Sequence, residues 1–216
     1  MKTIVAIVAA VTAISLQAKP LKVPDGPIRV AVVLTDGATM IDFAGPWEVF
    51  QDVDAPNGGF ELYTVSDKKE PIRTSGGMTV VPDYTFANAP APRVVVIGAQ
   101  RGSSPAMMDW LRKMTGEADV VMSVCTGAFK LGKAGILDGK QATTHHDFYD
   151  EFQKANPKVK LVKSKRFVES DDVISTAGGL TSGIDLALHV VERYYGREVA
   201  QRTADYMEYE STGWKK

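Results

Sequence analysis

Three short runs of this chain are apolar at almost every position: Ile28–Leu34 (IRVAVVL), Arg93–Gly98 (RVVVIG) and Asp119–Val124 (DVVMSV). A strand with one face in water alternates apolar and polar residues, whereas a strand covered on both faces does not. These runs therefore read as central strands of a sheet with helices on either side. Segments of helical period lie between and after them: Met40–Val53 with Pro46 inside, Pro105–Thr115, Thr126–Ala134, Asp147–Ala155, Ser182–Tyr195 and Glu198–Glu208. Phe60–Ser66, Met78–Pro82 and three short pieces between Val159 and Ala177 read as further strands. Alternation of this kind predicts an α/β fold: a mostly parallel central sheet in a three-layer sandwich. Such sheets bind ligands beyond the carboxyl ends of their strands.

Composition narrows the function classes. The 25 Lys+Arg against 26 Asp+Glu leave a net charge of -1 and no basic run, which argues against nucleic-acid binding through charge. A single cysteine, Cys125, excludes an intramolecular disulfide and a cysteine zinc cluster. Residues 1–18 (MKTIVAIVAAVTAISLQA) pair a positive Lys2 with an apolar stretch and a small residue before Lys19, the outline of a secretory signal too short for a comfortable membrane span. The expected organisation is a signal over 1–18, an extended lead-in over 19–27 and one domain over 28–216. The expected location is exported, periplasmic or secreted, with no stable membrane association once the signal is gone.

The segment VVMSV-Cys125-TGAFKLGKAG runs a buried strand straight into the cysteine and then into a helix. Small residues, Ser123 and Gly127, flank it at two residues on either side. This is the pattern of a nucleophile on a sharp strand-to-helix turn. A helix N-terminus aims free N–H groups and the positive dipole end at the sulfur, which predicts a lowered thiol pKa and a nucleophilic thiolate.

Candidate partners follow. Asp42 lies in TMIDFAGP after the first strand, among apolar residues that would desolvate its carboxyl and raise its pKa. Such an acid can hydrogen-bond a sulfur and shuttle a proton. Glu48 is the competing carboxylate. Gly98 ends the strand RVVVI, and its N–H together with that of Thr126 is placed to form an oxyanion-type hole. The histidines are His145, His146 and His189. Of the adjacent pair at most one faces the site; His189 reads as a surface or packing residue. Two histidines without a third ligand speak against a metal site. Gly127-Ala-Phe-Lys-Leu-Gly132-Lys133 mimics a phosphate-binding loop, but Ala134 stands where a hydroxyl must meet magnesium, and the intervening residues favour helix. Gly178, Gly179 and Gly183 lack dinucleotide-fingerprint spacing and read as points of close backbone approach.

Together the segments IDFAGPWEVF, SVCTGAFKLGKAGILDGKQATTHH and STAGGLTSGIDLALHVVE resemble the ThiJ/PfpI superfamily over about Ile28 to Tyr209. Within it the chain looks like the isonitrile hydratase branch. The resemblance implies a flavodoxin-like fold of the class I glutamine amidotransferase type. It matches Cys125 to the family nucleophile, Thr126 to its usual neighbour, Asp42 to the branch acid and His145 to the family histidine. Ile97-Gly98-Ala99 departs from the branch's Pro-Gly-Gly, and His146 stands where a tryptophan is common. Relatives that carry a DNA-binding helix-turn-helix extend beyond this domain; none is expected here.

Two function readings follow. One is a cofactor-free hydratase that turns a small isonitrile into an N-substituted formamide through Cys125 and Asp42, with a glyoxalase- or amidase-like activity on carbonyls as its variant. The other is a redox-sensing or small-molecule-binding domain built on an oxidisable Cys125. Either way the expected partner is a small molecule, with the protein a homodimer.

Overall fold

The computed structural model describes residues 19–215, so the expected signal over 1–18 lies outside the described residues. In chain order the strands are β1 (Ile28–Val33), β2 (Phe60–Ser66), β3 (Ile72–Arg73), β4 (Thr79–Val80), β5 (Tyr84–Thr85), β6 (Val94–Ile97), β7 (Val120–Ser123), β8 (Gln141–Ala142), β9 (Lys160–Leu161), β10 (Phe167–Glu169) and β11 (Ile174–Ala177). The helices are α1 (Met40–Gln51), α2 (Pro105–Glu117), α3 (Ala128–Lys133), α4 (Tyr149–Ala155), α5 (Ser182–Tyr195) and α6 (Arg197–Tyr206).

Seven strands form the central sheet in the order β10-β11-β7-β6-β1-β2-β5. Every pairing in it is parallel except β10 with β11. The three continuous apolar runs are β1, β6 and β7, which sit side by side at its centre. Their side chains alternate between two cores. Val30, Val32, Val94, Val96, Val120 and Met122 join one, with Phe50 of α1 and Leu186 and Val190 of α5. Ala31, Val33, Val95, Ile97 and Val121 join the other, with Leu111 of α2, Leu131 of α3 and Phe152 of α4. Both faces are covered, which is why these strands are apolar apart from Arg29 near the start of β1 and Ser123 at the end of β7. The fold is the flavodoxin-like α/β sandwich.

Some expectations are adjusted. The Met78–Pro82 strand shrinks to β4, which pairs with β3 in a separate two-stranded ribbon. The piece after Val159 becomes β9 and pairs with β8, again outside the central sheet. Residues 19–27 have no regular structure, yet they are tied down: Leu21 N–H donates to the Arg193 carbonyl at 2.7 Å. Among the described residues, no helix is long and apolar enough to cross a membrane.

β1 pairs with β2 on one side and β6 on the other, so connections leave it in opposite directions. That divergence opens a crevice at the strands' carboxyl ends. The loop after β6, the turn after β7, the start of α1 and the turn after β11 all meet there.

Candidate functional site

Cys125 follows β7 and opens a short 3₁₀ turn, Cys125–Gly127, that leads into α3. Its φ is +57°, in the left-handed region that side chains disfavour by about 1–2 kcal/mol. The main chain around it is pinned. Cys125 N–H donates to the Gly178 carbonyl at 2.8 Å, Val124 N–H to the Ile97 carbonyl at 3.0 Å, and the Thr144 hydroxyl to the Cys125 carbonyl at 2.9 Å. Gly127 is required by crowding: a Cβ there would lie 2.2 Å from the Ile97 carbonyl oxygen. A strained residue held by this many contacts is what a nucleophile elbow looks like.

The acid comes from α1. Asp42 sits in its first turn and is fully buried. Pro46, four residues on, lacks the N–H that would otherwise close on the Asp42 carbonyl. The loop after β6 fixes the side chain: Ala99 N–H donates to Asp42 Oδ2 at 2.9 Å, and Thr39 N–H donates back to the Ala99 carbonyl at 2.8 Å. The carboxyl also reaches the Cys125 thiol. Its other oxygen, Oδ1, is buried without a partner of ordinary hydrogen-bond geometry.

These surroundings set the proton inventory. Burial pushes the Asp42 carboxyl up to about 6, against the Ala99 amide and the thiol, which favour the carboxylate. Burial and the facing Asp42 carboxylate push the Cys125 thiol up to about 11. This corrects the expected lowered thiol pKa. The helix start does contribute, because Thr126 N–H donates to the sulfur and Leu180 N–H joins it, but desolvation and the like charge outweigh both donors. Between these values the pair holds one proton, and it rests on the sulfur facing the Asp42 carboxylate.

The other candidates fall as follows. Gly98 lies against the acid: a Cβ there would come 2.6 Å from Asp42 Cβ. The amide of this loop that engages the site is Ala99's, on the carboxyl. Thr126 contributes its main-chain N–H. His145 packs on the Gly178–Thr181 turn, where a Cβ on Gly179 would come 2.1 Å from its Cδ2. Its Nδ1 accepts Asp147 N–H at 3.2 Å, which places the ring proton on Nε2. Glu48 plays no part beside the sulfur. His189 is buried rather than on the surface, with Nε2 2.9 Å from Glu169 Oε1. The residues that mimic a phosphate loop form the elbow and α3, and Lys130 donates to the Gly102 carbonyl.

Leu180 was not legible as a site residue, since it acts through its main-chain N–H. The glycines at 178 and 179 were the available signal. Asp147 supplies the third ligand type that the histidine reading lacked: donor atoms of His145, His146 and Asp147 lie within 4.8 Å of one another. The two rings stack at 4.4 Å and 22° rather than converging on one point. An ion bonds imidazole in the ring plane, so the pair as stacked offers one ring at a time.

Two surface cavities lie elsewhere: one of about 500 Å³ is lined by Asp52, Val199 and Tyr206 at the end of α1, and one of about 690 Å³ by Lys19, Lys140 and Asp171. Neither takes in Cys125 or Asp42, and the thiol itself is nearly sealed, 6% exposed.

Sheet order and strained cysteine together define an α/β protein with a cysteine on a sharp strand-to-helix turn and a facing acid. The chain belongs to the DJ-1/PfpI family, whose model matches residues 28–193. It is 30% identical over 187 residues to an isonitrile hydratase of Pseudomonas putida, covering 84% of this chain and 78% of that one. It is 29% identical over 191 residues to the HTH-type transcriptional regulator GbdR of Pseudomonas aeruginosa, of which it spans only 51%. A ThiJ/PfpI family protein from Pseudomonas syringae superimposes with a TM-score of 0.75 at 25% identity, over 86% of this chain and 76% of that chain.

Proposed function

We propose that this chain is a cysteine-dependent hydratase that converts small isonitriles to N-substituted formamides. The observation that carries the reading is the Asp42 carboxyl held on the Cys125 sulfur with one proton between them. The relative that is an isonitrile hydratase supports the choice of substrate.

In this reading the thiol first passes its proton to Asp42, and the pair reacts in that thiolate–carboxylic acid form. Oδ2 is occupied by Ala99 N–H, so the proton rides on Oδ1. The sulfur bonds to the isonitrile carbon, and Asp42 delivers its proton to that same carbon, giving a thioimidate R–N=CH–S–Cys125. The Asp42 carboxylate then takes a proton from water as the oxygen adds to this carbon and passes it to the nitrogen, giving R–NH–CH(OH)–S–Cys125. Collapse breaks the C–S bond, returns the thiolate, sends the hydroxyl proton back to the Asp42 carboxylate and releases R–NH–CHO. The sum is one water added. The N–H groups of Thr126 and Leu180 stabilise negative charge on the sulfur as it enters and leaves, and Gly98 N–H is the proposed second donor for charge on the substrate. His145 borders the turn and shapes the entrance. The thiol and the acid suffice for this chemistry.

The test is formamide appearance by NMR with a panel of alkyl and aryl isonitriles. Wild type turns over, whereas Cys125→Ala and Asp42→Asn do not. No turnover on isonitriles or glyoxals, beside stoichiometric Cys125 oxidation at low peroxide, overturns this reading in favour of redox sensing. Export and pairing of two copies belong to the same proposal; the N-terminal sequence of the recovered protein and its mass in solution test them.

A further inference from the structure

The turn that brings Leu180 to the sulfur is held from behind by a residue far from it in sequence. Arg166, just before β10, grips both ends of the turn. Its main-chain carbonyl accepts Gly178 N–H at 2.9 Å, and its Nη2 donates to Thr181 Oγ1 at 3.1 Å. Gly179 and Leu180 lie between these anchors. Leu180 has a φ of +52°, which a branched side chain adopts only when its surroundings impose it. The Gly178 carbonyl accepts Cys125 N–H at 2.8 Å, so the nucleophile and the turn share one register.

Arg166 is itself fixed by a buried carboxylate. Asp185, in the first turn of α5, is fully buried and accepts Arg166 Nε at 2.5 Å through Oδ2. Its Oδ1 accepts the Ser211 hydroxyl at 3.1 Å, and the Tyr209 hydroxyl reaches the same carboxylate. The C-terminal segment closes over it: a Cβ on Gly213 would sit 3.0 Å from both carboxylate oxygens. Burying a carboxylate is costly, and a well-packed apolar group often serves stability as well or better. A buried acid with every oxygen engaged, gripping an arginine that grips a strained turn, is explained by the geometry it imposes.

We propose that Arg166 and Asp185 are positioning residues for the Cys125 site, holding the Gly178–Thr181 turn so that Leu180 N–H stays on the sulfur. The proposal deepens the reading of Cys125 as a working thiol, but it is tested without turnover. Loss of formamide production by wild type overturns the hydratase reading alone.

The experiment is the rate of Cys125 alkylation by iodoacetamide between pH 7 and 10, on the full chain. The single cysteine makes the label unambiguous. Thr181→Val removes only the hydroxyl that Arg166 holds, on an exposed side chain where the fold tolerates change. Arg166→Lys keeps the charge beside Asp185 and loses the fork. Both are expected to slow alkylation about tenfold, as one lost hydrogen bond to the charged form of a thiol implies. Thr181→Ser is expected to restore the wild-type rate. A network that only held the fold together would loosen on substitution, expose the thiol and speed alkylation. Unchanged or faster alkylation in Thr181→Val and Arg166→Lys therefore overturns the proposal. Asp185→Asn, which leaves Arg166 without its charged anchor, supplies a further variant with the same expected direction.

Discussion

Asp42 and Cys125 face one another across the crevice, where burial makes both harder to ionise and the Asp42 carboxylate further opposes the thiolate. The carboxyl is pushed up to about 6 and the thiol up to about 11. An acid with a raised pKa in the folded state binds its proton more tightly there than in the unfolded chain. Stability from this group is fully present below about 3.9 and is lost as pH rises through about 6. About two pKa units correspond to roughly 3 kcal/mol. Urea unfolding of wild type is expected to give lower stability at pH 8 than at pH 4.5 from this source. Asp42→Asn removes the buried charge, so the variant is expected to be the more stable protein at pH 8 by about 1–3 kcal/mol while losing activity. Equal stabilities of the two proteins at pH 8 would show that Asp42 carries no such strain.

The same pair makes a kinetic prediction. Asp42→Asn removes the carboxylate that opposes thiolate formation but leaves the burial, which is the larger cause. The thiol pKa is expected to fall by about one unit, with several-fold faster alkylation at pH 8, and to stay above that of a free cysteine. The variant is thus predicted to hold a more reactive thiol and to be a worse hydratase. A pH–alkylation profile beside a formamide assay separates the two effects. A slower thiol in Asp42→Asn would show that the acid favours rather than opposes the thiolate.

The core of this architecture was legible because physics leaves little choice there. Nothing but a doubly covered strand explains VVVI or VVMS, and a lone cysteine leading from such a strand into a helix has few readings. Asp42 was legible for a related reason, since an acid among Met40, Ile41 and Phe43 near a strand's carboxyl end has no ordinary surface role. The two-residue strands β3, β5 and β8 were not legible, because pairing across the tertiary structure, not local pattern, makes them strands. Leu180 was hidden because its contribution is a main-chain N–H, which any residue but proline has. The Arg166–Asp185 grip was hidden because 19 residues separate two groups that each look like ordinary surface charge. The thiol pKa was misjudged because a helix terminus is visible in sequence, whereas burial by distant segments is not.

Glycines at the site make a third prediction, with two different costs. Gly98→Ala drives a methyl to within 2.6 Å of Asp42 Cβ, so the acid must shift away from the sulfur. The expected result is a folded protein, destabilised by about 1–3 kcal/mol, whose turnover falls at least tenfold. Gly127→Ala meets the Ile97 carbonyl oxygen at 2.2 Å, at the end of a central strand that cannot give way. That variant is expected to lose more stability than Gly98→Ala and to fail to accumulate as folded protein. The yield of folded Gly127→Ala beside chemical denaturation of Gly98→Ala checks the ranking; wild-type turnover in Gly98→Ala would show that the acid tolerates displacement.

The elbow makes the last prediction. Cys125 carries a φ of +57°, and its main chain is tied to Gly178 and Thr144, with the preceding Val124 N–H on the Ile97 carbonyl, whatever its side chain. A side chain in that region costs about 1–2 kcal/mol, whereas glycine adopts it freely. Glycine also gives the unfolded chain more freedom, which offsets part of the gain by about 0.4–1 kcal/mol. Cys125→Gly is therefore expected to be as stable as Cys125→Ala or more stable by up to about 1 kcal/mol, although in ordinary helix or strand it would be the weaker of the two. Both variants lack the sulfur, so the comparison isolates the backbone. Urea midpoints at pH 6 read the difference. A glycine variant clearly less stable than the alanine variant would mean that the positive φ at Cys125 is not imposed by the folded chain, and that the turn relaxes once the sulfur is gone.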